Sequence, residues 1–73
     1  MNIFITGIAG FLGSHLANHY IKKGYSVSGN DTLTGGYKDN IPKKAKFHEV
    51  PCEDNKKMKG LLSGVDVVIH TAA

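Results

Sequence analysis

Three glycines, Gly7, Gly10 and Gly13, are evenly spaced near the start of the chain. They follow a short apolar run at Ile3–Ile5 and open a stretch with helical periodicity. Each glycine has its own physical task. Gly7 permits a tight turn out of a strand. Gly10 lets backbone approach a ligand with no side chain in the way. Gly13 lets the start of a helix pack closely on the strand before it. The helix start then offers unpaired N–H groups and the positive end of its dipole to an anion. A dinucleotide pyrophosphate is the ligand that suits this arrangement.

Asp31 is the second candidate, 18 residues beyond Gly13. A carboxylate just past a second strand can accept hydrogen bonds from both hydroxyls of an adenosine ribose. It would repel a 2′-phosphate, and the chain has no arginine to attract one. NAD is therefore the expected cofactor, and NADP is disfavoured. Other reactive side chains form weaker patterns. His15 and His19 have the i, i+4 spacing of a shared helix face, but no sulfur or acidic partner stands near them, so no metal is expected. The lone cysteine, Cys52, has neither zinc spacing nor a nucleophile signature. His70 reads as a packed residue at the end of a strand.

The elements that must position these groups can be read along the chain. Residues 2–6 form a buried strand bounded by glycine. Residues 11–23 form a helix, with Leu12, Leu16 and Tyr20 beside Ala17 and Ile21 on one apolar face. Gly24 ends it. Residues 25–30 form a second strand, and residues 31–45 a loop containing Gly35, Gly36, Asn40 and Pro42. Residues 46–50 are a third strand. Asp54 can cap a helix running to about Ser63, with Met58, Leu61 and Leu62 on one face. Residues 65–70 are a fourth strand. Strands alternating with helices define an α/β fold with a parallel sheet and right-handed crossovers. The expected strand order is 3-2-1-4, with helices on both faces. Ligands of such sheets bind where the strand order reverses, between the ends of strands 1 and 4.

Composition narrows the class further. With 73 residues, the chain has room for one small domain. No window approaches the roughly 20 apolar residues of a membrane span, and the first residues do not read as a secretion signal. The expectation is a soluble, cytoplasmic protein. The net charge of +3 comes from lysines in short groups, Lys43/Lys44/Lys46 and Lys56/Lys57/Lys59. These read as solvated faces, and without arginine a nucleic-acid partner is not expected. Strands 3 and 4 would be sheet edges, so the isolated chain is expected to be an oligomer or a poorly stable monomer.

The motifs Thr6-Gly7-Ile8-Ala9-Gly10-Phe11-Leu12-Gly13-Ser14-His15, Asp31-Thr32-Leu33-Thr34-Gly35 and Asp66-Val67-Val68-Ile69-His70-Thr71-Ala72-Ala73 together resemble the extended short-chain dehydrogenase/reductase family. The closest branch is the NAD-dependent nucleotide-sugar epimerases and dehydratases, and the likeness is to the N-terminal part of a Rossmann-type doubly wound domain. The resemblance implies that Gly7, Gly10, Phe11 and Leu12 meet the pyrophosphate largely through backbone, with Gly13 packed behind them. It implies that Asp31 holds the adenosine ribose and that Thr32, Leu33 and Thr34 line the same end. Thr71, Ala72 and Ala73 would run beneath the pyrophosphate and the nicotinamide-side ribose. One pair departs from the pattern. The family carries Asp and an aliphatic residue after strand 3 to read adenine, and this chain has Pro51-Cys52. Pro51 offers neither carboxylate nor N–H. Cys52 retains a backbone N–H and a side chain to face the base.

The same resemblance implies chemistry by a Tyr-x-x-x-Lys pair, in which lysine lowers the tyrosine pKa and the tyrosinate takes a proton from a sugar hydroxyl. The tyrosines here are Tyr20, Tyr25 and Tyr37, and four residues later stand Gly24, Gly29 and Ile41. Residues 1–73 therefore hold a partial cofactor-binding domain and no catalytic residue. Two functions follow. The chain is the cofactor-binding segment of an epimerase or dehydratase, whose nucleotide-sugar substrate requires the rest of the protein. Alternatively, it is a non-catalytic dinucleotide-binding or redox-sensing module.

Overall fold

A computed structural model describes residues 1–72. Strand β1 (Asn2–Thr6) leads through the glycine turn into helix α1 (Phe11–Lys22) and then strand β2 (Ser26–Asn30). After a loop containing a short 3₁₀ turn (Lys38–Asn40) come strand β3 (Lys46–His48), helix α2 (Asn55–Leu61) and strand β4 (Val67–His70). All pairings are parallel, and the order is β3-β2-β1-β4. The chain steps one way from β1 to β2 and the other way from β3 to β4. Right-handed crossovers then put α1 and α2 on opposite faces. The expected α/β sheet and its 3-2-1-4 order are thus present.

The core lies around β1. Alternation along this central strand sends Ile3 and Ile5 to one face, where Ile8, Ala17 and Val27 join them. Phe4 points to the other face and is also fully buried. The stripe that α1 turns inward differs from the expected one. It is made of Gly13, Ser14 and Ala17, flanked by Leu16, Tyr20 and Ile21. Leu12 is 57% exposed. The close approach allowed by Gly13 sets the helix rotation, so the small residues face the sheet and Leu12 turns away. Helix α1 ends as read, with Gly24 in the left-handed region at φ 90° and its N–H on the Ile21 carbonyl at 2.9 Å.

The second half is thinner. Strand β3 stops at His48 because the Val50 N–H turns back to the His48 carbonyl at 3.0 Å. The following Pro51 has no N–H to continue a ladder. Asp54 caps α2 as expected, its carboxylate accepting the Lys57 N–H at 3.1 Å. The helix ends at Leu61, earlier than the reading to Ser63, and the left-handed Gly64 (φ 78°) follows. Strand β4 begins at Val67 and not Val65. The Val65 N–H is used by the turn, on the Leu62 carbonyl, and Asp66 is occupied by the N-terminal strand. Its carboxylate accepts the Asn2 N–H at 2.7 Å.

Candidate functional site

The glycine turn, the end of β2 and the end of β4 meet at one end of the sheet, at the point where strand order reverses. There they enclose a cleft of about 480 Å³. Gly7 has φ 73°, in the left-handed region, and its N–H donates to the Asn30 carbonyl at 2.8 Å. A Cβ at Gly13 would overlap the Gly7 carbonyl oxygen. The turn therefore tolerates nothing larger at either end. Gly10 is the N-cap of α1, without a side-chain cap, and no acidic residue stands in the first turn. The Ser14 N–H closes the first helical bond, onto the Gly10 carbonyl at 3.0 Å. The amides of Phe11, Leu12 and Gly13 have no such partner among the described residues, so they are available to an anion.

Asp31 reaches this turn directly. One carboxylate oxygen accepts the Ala9 N–H at 2.9 Å and the other accepts the Leu33 N–H at 2.8 Å. Two oxygens carry about four acceptor sites, so both can also take ribose hydroxyls. Leu33 adopts φ 65°, a conformation rare for leucine, and its N–H bond to Asp31 compensates for it. Cys52 also borders the cleft, and its sulfur accepts from Asn30 Nδ2 at 3.4 Å. The far end is set by Thr71, whose Oγ1 donates to the Thr6 carbonyl at 2.6 Å.

Most of the residues singled out in the sequence come together. Gly7, Gly10, Asp31, Thr32, Thr34, Cys52, Thr71 and Ala72 all border the cleft. Phe11 and Leu12 do not border it with their side chains, which are exposed at the helix start. Gly13 is buried behind the turn, and Leu33 does not border the cleft. Ala73 lies outside the described residues. The histidine pair is drawn elsewhere: His15 packs edge-on against Phe11, and His19 against Tyr20.

Several wall residues were not singled out. Asn30 is 1% exposed. Its Nδ2 donates to the Val50 carbonyl at 2.8 Å, joining the end of β2 to the segment after β3. Its Oδ1 is buried and has no partner among the described residues. An orphaned polar atom in a cleft wall is a mark of a site built for a polar ligand or water. Gly35, Glu53 and His70 also border the cleft. His70 is not packed away as read. It is exposed, with Nδ1 2.7 Å from Thr6 Oγ1. Thr6 Oγ1 also accepts the Thr71 N–H at 3.1 Å, so Thr6, His70 and Thr71 share one network. The signal for these residues was weak. Asn30 and His70 sit at strand ends, where type alone does not separate a structural residue from a wall residue.

The acidic and basic side chains of the cleft are Asp31, Glu53 and His70, with no lysine among them. An anionic group would therefore be held by backbone N–H dipoles and not by side-chain cations. A bare glycine turn at a helix start, with a carboxylate tied to it, defines a dinucleotide-binding Rossmann-type fold. Comparison with known proteins sharpens the class. The model of the "NAD dependent epimerase/dehydratase family" matches residues 3–73. UDP-glucose 4-epimerase of Lactobacillus helveticus is 33% identical over 75 residues, covering 100% of this chain and 23% of the relative. The solved UDP-glucose 4-epimerase of Thermotoga maritima, with UDP-glucose, superposes at TM-score 0.96 with 40% identity, over 100% of this chain and 24% of that one. The UDP-glucose 4-epimerase of Thermus thermophilus, solved as a complex with NAD, gives TM-score 0.91 and 32% identity, again over 100% and 24%. The chain belongs to the NAD-dependent epimerase/dehydratase family, and it spans about a quarter of the length of these relatives.

Proposed function

We propose that this chain is the N-terminal NAD-binding segment of a nucleotide-sugar epimerase or dehydratase. The observation that carries the reading is the direct bond between the Asp31 carboxylate and the Ala9 N–H. It ties a carboxylate suited to a ribose to a turn suited to a pyrophosphate. Gly7, Gly10 and the amides of Phe11 and Leu12 hold the pyrophosphate, with Gly13 packed behind them. Asp31 takes the adenosine ribose, with Thr32, Leu33 and Thr34 around it. Cys52 faces the base, and Thr71 and Ala72 underlie the nicotinamide half. NAD, once bound, supplies a hydride acceptor. The residues of this segment bind and orient, and proton transfer falls to a Tyr-x-x-x-Lys pair elsewhere in the intact protein. NAD is preferred to NADP because the Asp31 carboxylate would repel a 2′-phosphate and the chain has no arginine to attract one.

A cytoplasmic location accompanies this reading. No helix among the described residues is long and apolar enough to cross a membrane. A homo-oligomer is also proposed for the isolated segment, in which Val67 and Val68 are exposed on edge strand β4. Calorimetry of the intact protein tests the cofactor assignment. NAD should bind about tenfold or more tighter than NADP. Conversion of a UDP-hexose to its 4-epimer or 4-keto product tests the chemistry. NAD binding with no turnover of any nucleotide sugar would favour the sensing module. Tighter NADP binding would overturn the role given to Asp31.

A further inference from the structure

Ala9 is fully buried at the back of the glycine turn, and its polar atoms are gripped from two sides. Its N–H donates to Asp31. Its carbonyl accepts the Tyr37 N–H at 3.1 Å and Asn40 Nδ2 at 3.1 Å. A carbonyl has two lone-pair directions, so both are occupied. The Ala9 carbonyl and the Gly10 N–H belong to one planar peptide unit, and that N–H donates to the Gly7 carbonyl at 3.1 Å. The orientation of this one plane therefore sets both the Gly7–Gly10 turn and the start of α1. Gly36 lies flat against the same plane. A Cβ there would stand 2.5 Å from the Ala9 oxygen, 2.6 Å from its carbonyl carbon and 2.9 Å from the Gly10 nitrogen. Ala9, Gly36 and Asn40 do not border the cleft. They hold from outside the backbone that a ligand meets from inside.

We propose that Asn40 is a positioning residue for the pyrophosphate end of the cleft. It acts through the Ala9–Gly10 peptide, with Gly36 as the surface on which that peptide rests. This rests on the dinucleotide reading above. The 3₁₀ turn Lys38–Asn40 presents the amide, and its tight fold is closed by the Asn40 N–H on the Tyr37 carbonyl at 2.9 Å. The segment after Asp31 is thus a strap that carries ribose recognition at one end and turn alignment at the other.

The test compares ligands with and without a pyrophosphate on the intact protein. Asn40→Asp keeps the size of the side chain but turns a carboxylate oxygen toward the Ala9 carbonyl. NAD and ADP should bind about tenfold more weakly, about 1.4 kcal/mol, while adenosine changes by less than about twofold. Gly36→Ala should give the same split. Asn40→Ala removes only the donor and should give it at about threefold, which keeps the test open if Asn40→Asp does not fold. Equal weakening of all three ligands, or none, would overturn the positioning role. Wild-type protein that binds no NAD would instead overturn the dinucleotide reading.

Discussion

The two halves of the molecule are held together by different forces. Ile3, Phe4, Ile5, Ile8, Ala9, Ala17 and Val27 form the buried apolar set of the first strand–helix–strand unit, whereas Met58 alone is contributed from beyond Asn30 among the described residues. The second half packs the partly buried Ile41, Ala45, Phe47 and Ile69 against that core and adds directed polar contacts. These are Ala9 to Asp31, Asn30 to Val50, Thr71 to Thr6 and Asn2 to Asp66. Apolar burial supplies stability without direction. Hydrogen bonds contribute about 1 kcal/mol net each but fix geometry. The first unit is therefore the platform, and the second unit is a set of walls aligned on it.

The sharpest way to break this contrast is to truncate each half in turn. Phe4→Ala should cost about 3–5 kcal/mol, and Met58→Ala about 2 kcal/mol. A core in a chain of this size supplies about 3–5 kcal/mol, so Phe4→Ala should abolish the cooperative urea transition while Met58→Ala only lowers its midpoint. Equal losses would show that the halves share one core. Gly13→Ala comes next, at about 3 kcal/mol, because backbone on both sides of the overlap must move. It should also remove NAD binding under conditions where circular dichroism still reports a folded chain.

Smaller changes sharpen the comparison at the junction. Asp31→Asn replaces one acceptor oxygen by a donor facing either the Ala9 or the Leu33 N–H. The Kd for NAD, measured by calorimetry, should rise about 10- to 100-fold, with a far smaller effect on the thermal midpoint. A midpoint shift as large as that of Met58→Ala would make Asp31 a structural residue first. The smallest effect belongs to β4. Val68 is 50% exposed, and Val68→Lys should change stability by less than about 0.5 kcal/mol. The same change places a charge on an edge strand and should reduce self-association in sedimentation measurements. Unchanged association would move the oligomer contact away from this edge.

Much of the platform was legible because its signals are local. The run Ile3–Ile5, the glycines at 7, 10 and 13, the Ala17 and Ile21 spacing and Gly24 each constrain their own neighbours. The handedness of crossovers converts that order into a strand arrangement. The walls were less legible. Asn30 looks like any strand-end asparagine, yet it clips β2 to Val50 and leaves one oxygen orphaned. Gly36 and Asn40 were visible only as loop residues, since nothing near them in sequence names Ala9 as their partner. Leu12 has the right period for the core and is still exposed, because helix rotation depends on how closely Gly13 approaches Gly7.

The sequence by itself determined that a glycine turn would join a strand to a helix, that a carboxylate would follow the second strand, and that the sheet would be parallel. Those outcomes depend on backbone sterics and period, which act over a few residues. Only the tertiary structure decided that the carboxylate binds the turn, that the strap beyond it grips the Ala9 peptide, and that Thr6, His70 and Thr71 share one network. Each of those contacts closes a loop of 22 residues or more. At that separation the partner of a polar atom is chosen by where the packed elements leave it, and not by its neighbours in the chain.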